Sequence, residues 1–189
     1  MIRSVFLLTI ALLAGSLQAE DEVPEGYVMQ VMEPTGGNIL RPEGWFYHER
    51  HREKSWSWTI SKEDTHNGKD AYDTGVRIQA FVGVEENTGK TPEAFLKDFI
   101  DQKRKVAVNV HKDCDAADQG LFTRTCLEVT EGDYRILYSV FWGNEIDIAI
   151  VSIAGAKLAD WDENVGYFNT MSEFELIDME RFSDDEEED

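Results

Sequence analysis

Residues 44–60 read GWFYHERHREKSWSWTI, and the HERH at the centre puts two histidines three positions apart around a glutamate. Imidazole and carboxylate at short spacing are the ligand types of a zinc site. In the helical HExxH arrangement, however, the histidines lie four apart and point the same way. Here Trp45, Phe46 and Tyr47 precede the motif, and Trp56, Trp58 and Ile60 alternate with Ser55, Ser57 and Thr59 after it, which favours strands. On a strand an odd separation sends His48 and His51 to opposite faces, so these two metal candidates need a bulge to share an ion. His66 and His111 offer no companion spacing. HERH reads better as the polar end of a hairpin, with HREK as its charged bend. Trp56 and Trp58 then fall on one face of the second strand, as candidate contacts for a partner.

Other catalytic patterns are missing from the sequence. It contains no GxSxG elbow, no SxxK pair and no HExxH. No GxxxxGK[ST] or GxGxxG loop occurs either, so no cofactor is expected. Residues 63–70, EDTHNGKD, can be aligned to a calcium loop with Gly68 at its sixth position. That alignment puts Thr74 where a bidentate glutamate is required, so a polar turn is the better reading. The two cysteines, Cys114 and Cys126, do not form a CxxC redox motif and are expected to pair as a disulfide in an oxidising compartment. Closing a loop of about 13 residues stabilises by roughly 3 kcal/mol in the chain-entropy model.

Charge narrows the class of partner. The net charge is −20, and the body stays acidic without the six consecutive acids of residues 184–189. Such a field repels nucleic acid, whose phosphates need Lys and Arg, and disfavours anionic lipid. The acidic run is expected to form a disordered, solvated tail over 181–189, with calcium or a partner as its conceivable ligands. At the other end, residues 1–19 have one cation, Arg3, an apolar run and a small-residue finish at Ala19. This is the pattern of a cleaved signal peptide. The rival, a retained anchor, needs roughly 20 apolar residues, more than the run supplies. No cysteine follows the run to carry a lipid. A periplasmic or secreted protein with no stable membrane anchor is therefore expected. The predicted organisation is a signal peptide (1–19), a lead-in (20–38), one domain (39–180) and the acidic tail (181–189).

Period-2 patterns dominate the domain. Val76, Ile78, Ala80, Val82 and Val84 share a face, as do Leu121, Thr123, Thr125, Leu127 and Val129. Glu131-Gly132-Asp133 turns the chain into a strand with Tyr134, Ile136, Tyr138, Val140 and Trp142 aligned. Gly143-Asn144 suits a second tight turn before EIDIAIVSI, completing an antiparallel meander. Two segments read as helices. TPEAFLKDFIDQKRK opens with Thr91 as N-cap and Pro92 in the first turn, and Lys103, Arg104 and Lys105 sit at its negative end. Over 158–171, Leu158, Trp161, Val165, Phe168 and Met171 recur at helical spacing, with Gly166 a mild weakness. The expected order is βββαβββα, with an extended piece over 173–177, in an α+β domain with an antiparallel sheet and two long helices.

That order resembles the PsbP/Mog1-like αβα sandwich, and within it the bacterial periplasmic DcrB-like branch. The resemblance rests on Pro42-Glu43-Gly44-Trp45, the helix opened by TPEAF and the helix ending YFNTMSEFEL, and spans about residues 30–178. It implies a mostly non-catalytic role: stabilising a photosynthetic complex, binding a small GTPase, or assisting envelope and secretion proteins. It transfers no catalytic residue, and the chain lacks the anchoring cysteine of the periplasmic lipoproteins. Two functional expectations follow. One is an accessory or binding module for an envelope or secreted protein. The other is a metal-dependent or hydrolytic periplasmic enzyme whose site is assembled only by the fold.

Overall fold

The computed structural model describes residues 23–66 and 71–178. The expected signal peptide and acidic tail lie outside the described residues, as do positions 67–70 of the EDTHNGKD turn. The chain begins with an antiparallel hairpin of β1 (Tyr27–Met32) and β2 (Gly37–Pro42). Next come β3 (Phe46–Arg52), β4 (Ser55–Ser61), β5 (Gly75–Val82), α1 (Val84–Thr88) and α2 (Pro92–Val106). β6 (Asn109–Asp113), β7 (Ala117–Asp118), β8 (Phe122–Glu131), β9 (Tyr134–Gly143), β10 (Ile148–Lys157) and α3 (Trp161–Met171) complete it. β3 to β10 form one eight-stranded antiparallel sheet in the order β3-β4-β5-β10-β9-β8-β6, with β7 also paired to β8.

The α+β class and the antiparallel meander hold, but among the described residues ten strands and three helices replace the simple βββαβββα order. β1 and the start of β2 occupy the stretch expected as a lead-in, and Met32 and Ile39 of that hairpin are buried. β6 escaped the pattern because every residue in it is exposed, leaving no apolar alternation to read. The alternation carried through Val84 breaks one residue earlier, where Gly83 takes φ +68 and opens α1. The Gly143-Asn144 turn is longer than a tight hairpin, and β10 starts only at Ile148. α3 starts at Trp161, leaving Leu158 exposed in the turn before it.

Two apolar layers sit on the two faces of the sheet. On one face Trp58, Ile60, Val76, Ile78, Ile150 and Ala154 pack against the β1–β2 hairpin and α3 through Met32, Ile39, Trp161, Phe168 and Met171. On the other, α2 lays Leu96 and Ile100 over Leu127, Val129, Tyr138, Val140, Ala149 and Val151. Thr91 caps α2, its hydroxyl accepting from Ala94 N at 3.3 Å. The expected extended piece is present: Asn38 and Glu175 exchange backbone hydrogen bonds at 2.9 Å, and Ile177 bridges Gly36. Gly37 is required for this approach, since a Cβ there would lie 2.3 Å from the Glu175 carbonyl oxygen. Cys114 and Cys126 form the disulfide, joining the segment after β6 to β8 with Cα atoms 5.0 Å apart.

Candidate functional site

α2 covers only the β8–β9–β10 part of its sheet face, and the β3–β4–β5 part is left open. Strand pairing arranges the open side chains in three cross-strand rungs: His48–Thr59–Arg77, Arg50–Ser57–Gln79 and Arg52–Ser55–Phe81. These residues and Thr65 line a cleft of ≈ 450 Å³. Alternation produces it directly. With Trp58 and Ile60 turned to the core, Ser57 and Thr59 must point the other way, and β3 and β5 follow in register.

The lining is unlike the rest of this acidic chain. Among the described lining residues there are three guanidiniums and no carboxylate, in a protein of net charge −20. Arg77 Nε donates to Thr59 Oγ1 at 3.4 Å, and its guanidinium sits 5.6 Å from the centre of the Tyr72 ring. Burial pushes the Tyr72 hydroxyl pKa up, and the Arg77 charge opposes that shift. His48 stacks on His66 at 4.8 Å, with the rings 13° from parallel, and shares a 3.3 Å hydrogen bond with Thr65 Oγ1. The Asp64 carboxylate accepts from the His66 backbone N–H at 2.9 Å and meets its ring Nδ1 at the same distance. Those bonds, the backbone one first, hold Asp64 below the usual carboxylate pKa. Arginine forks and hydroxyls in a shallow groove suit bidentate recognition of carboxylates.

The structure separates the two histidines of HERH. His48 lies in the cleft; His51 lies through the sheet from it, its Nε2 2.9 Å from Glu49 Oε2 and its ring edge-on to Trp58. They do not meet. Among the described residues no group of three or more His, Cys, Asp or Glu gathers at metal-holding distance. Trp56 and Trp58 share a face as the alternation required, but it is the core-facing one. Trp58 is 1% exposed and donates from Nε1 to the Glu33 carbonyl at 2.7 Å, and Trp56 is half-buried against the same core. The β1–β2 hairpin covers them, and it arose from the stretch read as a lead-in. Trp58 is therefore closed to a partner and Trp56 only partly open, while the polar side of this strand pair faces the cleft. The sequence signal for that side was available in Arg50 and Arg52, two apart, facing Ser55 and Ser57 across the bend.

No family model matches the chain, and no curated protein does. Among solved structures it is similar to the solution structure of cyanobacterial PsbP (CyanoP) from Synechocystis sp. PCC 6803. The two are 15% identical, with a TM-score of 0.48 over 87% of this chain and 99% of that one. The α+β description stands on the strand pairing itself.

Proposed function

We propose that this chain is an exported, non-catalytic accessory module that binds an acidic segment of an envelope or secreted protein on the open face of β3–β4–β5. The carrying observation is the set of three rungs that presents Arg50, Arg52 and Arg77 in one cleft of an otherwise acidic chain. The surrounding negative field disfavours long polyanions, while short-range guanidinium–carboxylate pairs still select a brief acidic stretch. Export is supported by the N-terminal sequence pattern and by the Cys114–Cys126 disulfide. No helix among the described residues is long and apolar enough to cross a membrane.

The cleft is better equipped to bind than to catalyse. Its groups are chiefly donors. Thr59, the hydroxyl on the His48 rung, accepts from Arg77, and Ser57 stands between Arg50 and Gln79. The hydroxyl within hydrogen-bond reach of His48 is that of Thr65, at 3.3 Å, and Thr65 is only 3% exposed, which is a poor position for a nucleophile. Fluorescence anisotropy with a labelled oligoglutamate tests the reading. At low salt the full chain binds it, and the pair Arg50→Glu with Arg52→Glu weakens binding by about tenfold or more, roughly 1.4 kcal/mol. Unchanged affinity in that variant, or equal affinity for oligoglutamine, rejects the proposal.

A further inference from the structure

Residues 105–112 read KVAVNVHK, three valines alternating between two lysines. Val106 and Val108 are the most exposed large apolar side chains among the described residues, at 64% and 68%, and Val110 is 48% exposed. Their place in the fold explains this. α2 ends at Val106, Ala107 is extended, and Val108 N donates to the Thr130 carbonyl at 2.8 Å as the chain joins β8. β6 then forms one end of the eight-stranded sheet, paired with β8 alone and with all five of its residues exposed. Val110 lies opposite Val129, which lies opposite Ile136. That rung belongs to the apolar layer beneath α2, which buries Val129 completely and leaves Val110 half open at the edge. The other end of the sheet differs. Along β3, Glu49, Arg50, His51 and Arg52 follow one another, the charged pattern that blunts an edge.

We propose that the β6 edge takes a further strand from a partner protein: an extended segment with alternating β-branched residues and a carboxylate near each end. An edge strand presents unpaired backbone N–H and C=O groups, and an added strand satisfies them. Apolar side chains of that strand opposite Val110 continue the Val110–Val129–Ile136 rung and extend the layer beneath α2. Charge selects the partner. Lys105 and Lys112 are exposed and form no ion pair among the described residues. Lys103 and Arg104, by contrast, are committed to Glu131, Asp101 and Asp113. A second copy is the wrong occupant. Antiparallel pairing that aligns two KVAVNVHK stretches sets Lys105 against Lys112, and like charges directly opposite are destabilising. A strand with carboxylates at its ends turns the same lysines into attraction. The register shift between Val110 and Lys112 keeps the regular stretch short, so contacts to the valines and lysines must supply the selectivity. This edge lies at the opposite end of the sheet from the β3–β5 cleft and does not depend on the reading proposed for it.

The probe is a fluorescein-labelled peptide, EVTVTVE, titrated into the full chain at low salt and read by fluorescence anisotropy. The chain is expected to bind it, and Lys105→Glu with Lys112→Glu is expected to weaken binding about tenfold. Both side chains are exposed and unpaired, so folding does not confound the result. The charge-swapped peptide KVTVTVK should prefer that variant to the parent chain. Val108→Thr with Val110→Thr, which keeps the β-branching, should also weaken the binding of EVTVTVE. EVTPTVE should not bind, because its proline removes a ladder donor. Amide shifts on binding should centre on residues 107–113 and their neighbours in β8. No binding of EVTVTVE, or equal binding of EVTVTVE and KVTVTVK by the parent chain, overturns the proposal. Binding of EVTPTVE as tight as that of EVTVTVE overturns strand addition. Shifts centred on β3–β5 put the peptide in the cleft and overturn the edge site. A concentration-dependent dimer that Val108→Thr with Val110→Thr disperses would put a second copy on the edge and overturn the choice of partner.

Discussion

One face of the eight-stranded sheet is divided between two surfaces of opposite chemistry, and the division falls between β5 and β10. The β8–β10 half presents Leu127, Val129, Tyr138, Val140, Ala149 and Val151, and α2 closes over them. The β3–β5 half continues the same register with Thr59, Arg77, Ser57 and Gln79, and no helix covers it. Phe81 is the seam: it lies opposite Ala149 in β10, touches Phe95 of α2 at 5.8 Å between ring centres, and also lines the cleft. Backbone hydrogen bonding is shared across the seam, so the side chains alone decide which half becomes core. Where a strand pair repeats apolar residues on this face, burying them against a helix repays the ordering of that helix. Where it repeats arginines and hydroxyls, burial would strand polar groups, and the surface stays available for recognition.

The comparison predicts that the two halves respond to substitution in opposite ways. The largest effect is expected in the covered half. Leu96, on the sheet-facing side of α2, is fully buried, so Leu96→Ala should destabilise by about 2–5 kcal/mol in urea unfolding. A loss below about 1 kcal/mol would mean that α2 does not close this half. The disulfide comes next. It ties the far side of the same half, and replacing Cys114 and Cys126 by Ser should cost about 3 kcal/mol, read as a lowered denaturation midpoint. In the open half, Ser57→Ala and Gln79→Ala should change stability by no more than about 0.5 kcal/mol. A larger loss there would show that the rungs serve the fold rather than a ligand.

How much of this division could be read from the sequence depends on the elements that cover each face. Period-2 alternation located β4, β5, β8, β9 and β10 and assigned their residues to faces, and Thr91-Pro92 marked the start of α2. The odd separation of His48 and His51 correctly put them on opposite sides. Alternation says which residues share a face but not which face becomes the inside. That choice was misjudged for Trp56 and Trp58 because the covering β1–β2 hairpin has Met29 and Val31 exposed and only a weak apolar rhythm. The cleft itself needed the sheet order, which brings β3, β4 and β5 together at one edge, where α2 meets only Phe81 at the seam. No local pattern encodes that order.

The smallest expected effect lies at the link between the halves. Asp73, just before β5, accepts from Tyr134 Oη at 2.6 Å and pairs with Lys157 Nζ at 2.5 Å, joining the β4–β5 connection to β9 and β10. Lys157 first, then Tyr134, holds the Asp73 carboxyl below its ordinary pKa. A depressed folded pKa means that the stabilisation is fully present above the ordinary aspartate pKa and is lost as pH falls through the lowered one. Asp73→Asn should therefore lower stability slightly at neutral pH, converge on the parent chain at acid pH, and so flatten the acid limb of the stability–pH curve. A steeper acid limb in the variant would contradict this assignment.

The claim that the open half is the recognition surface is tested most directly by amide chemical-shift mapping. The chain is titrated with oligoglutamate at low salt. The account predicts that the largest shifts cluster on residues 48–59 of β3 and β4 and 77–81 of β5, while the amides of β8 and of α2 beyond Phe95 stay still. Shifts centred on α2, β6 or the β1–β2 hairpin, with β3–β5 unmoved, would contradict it.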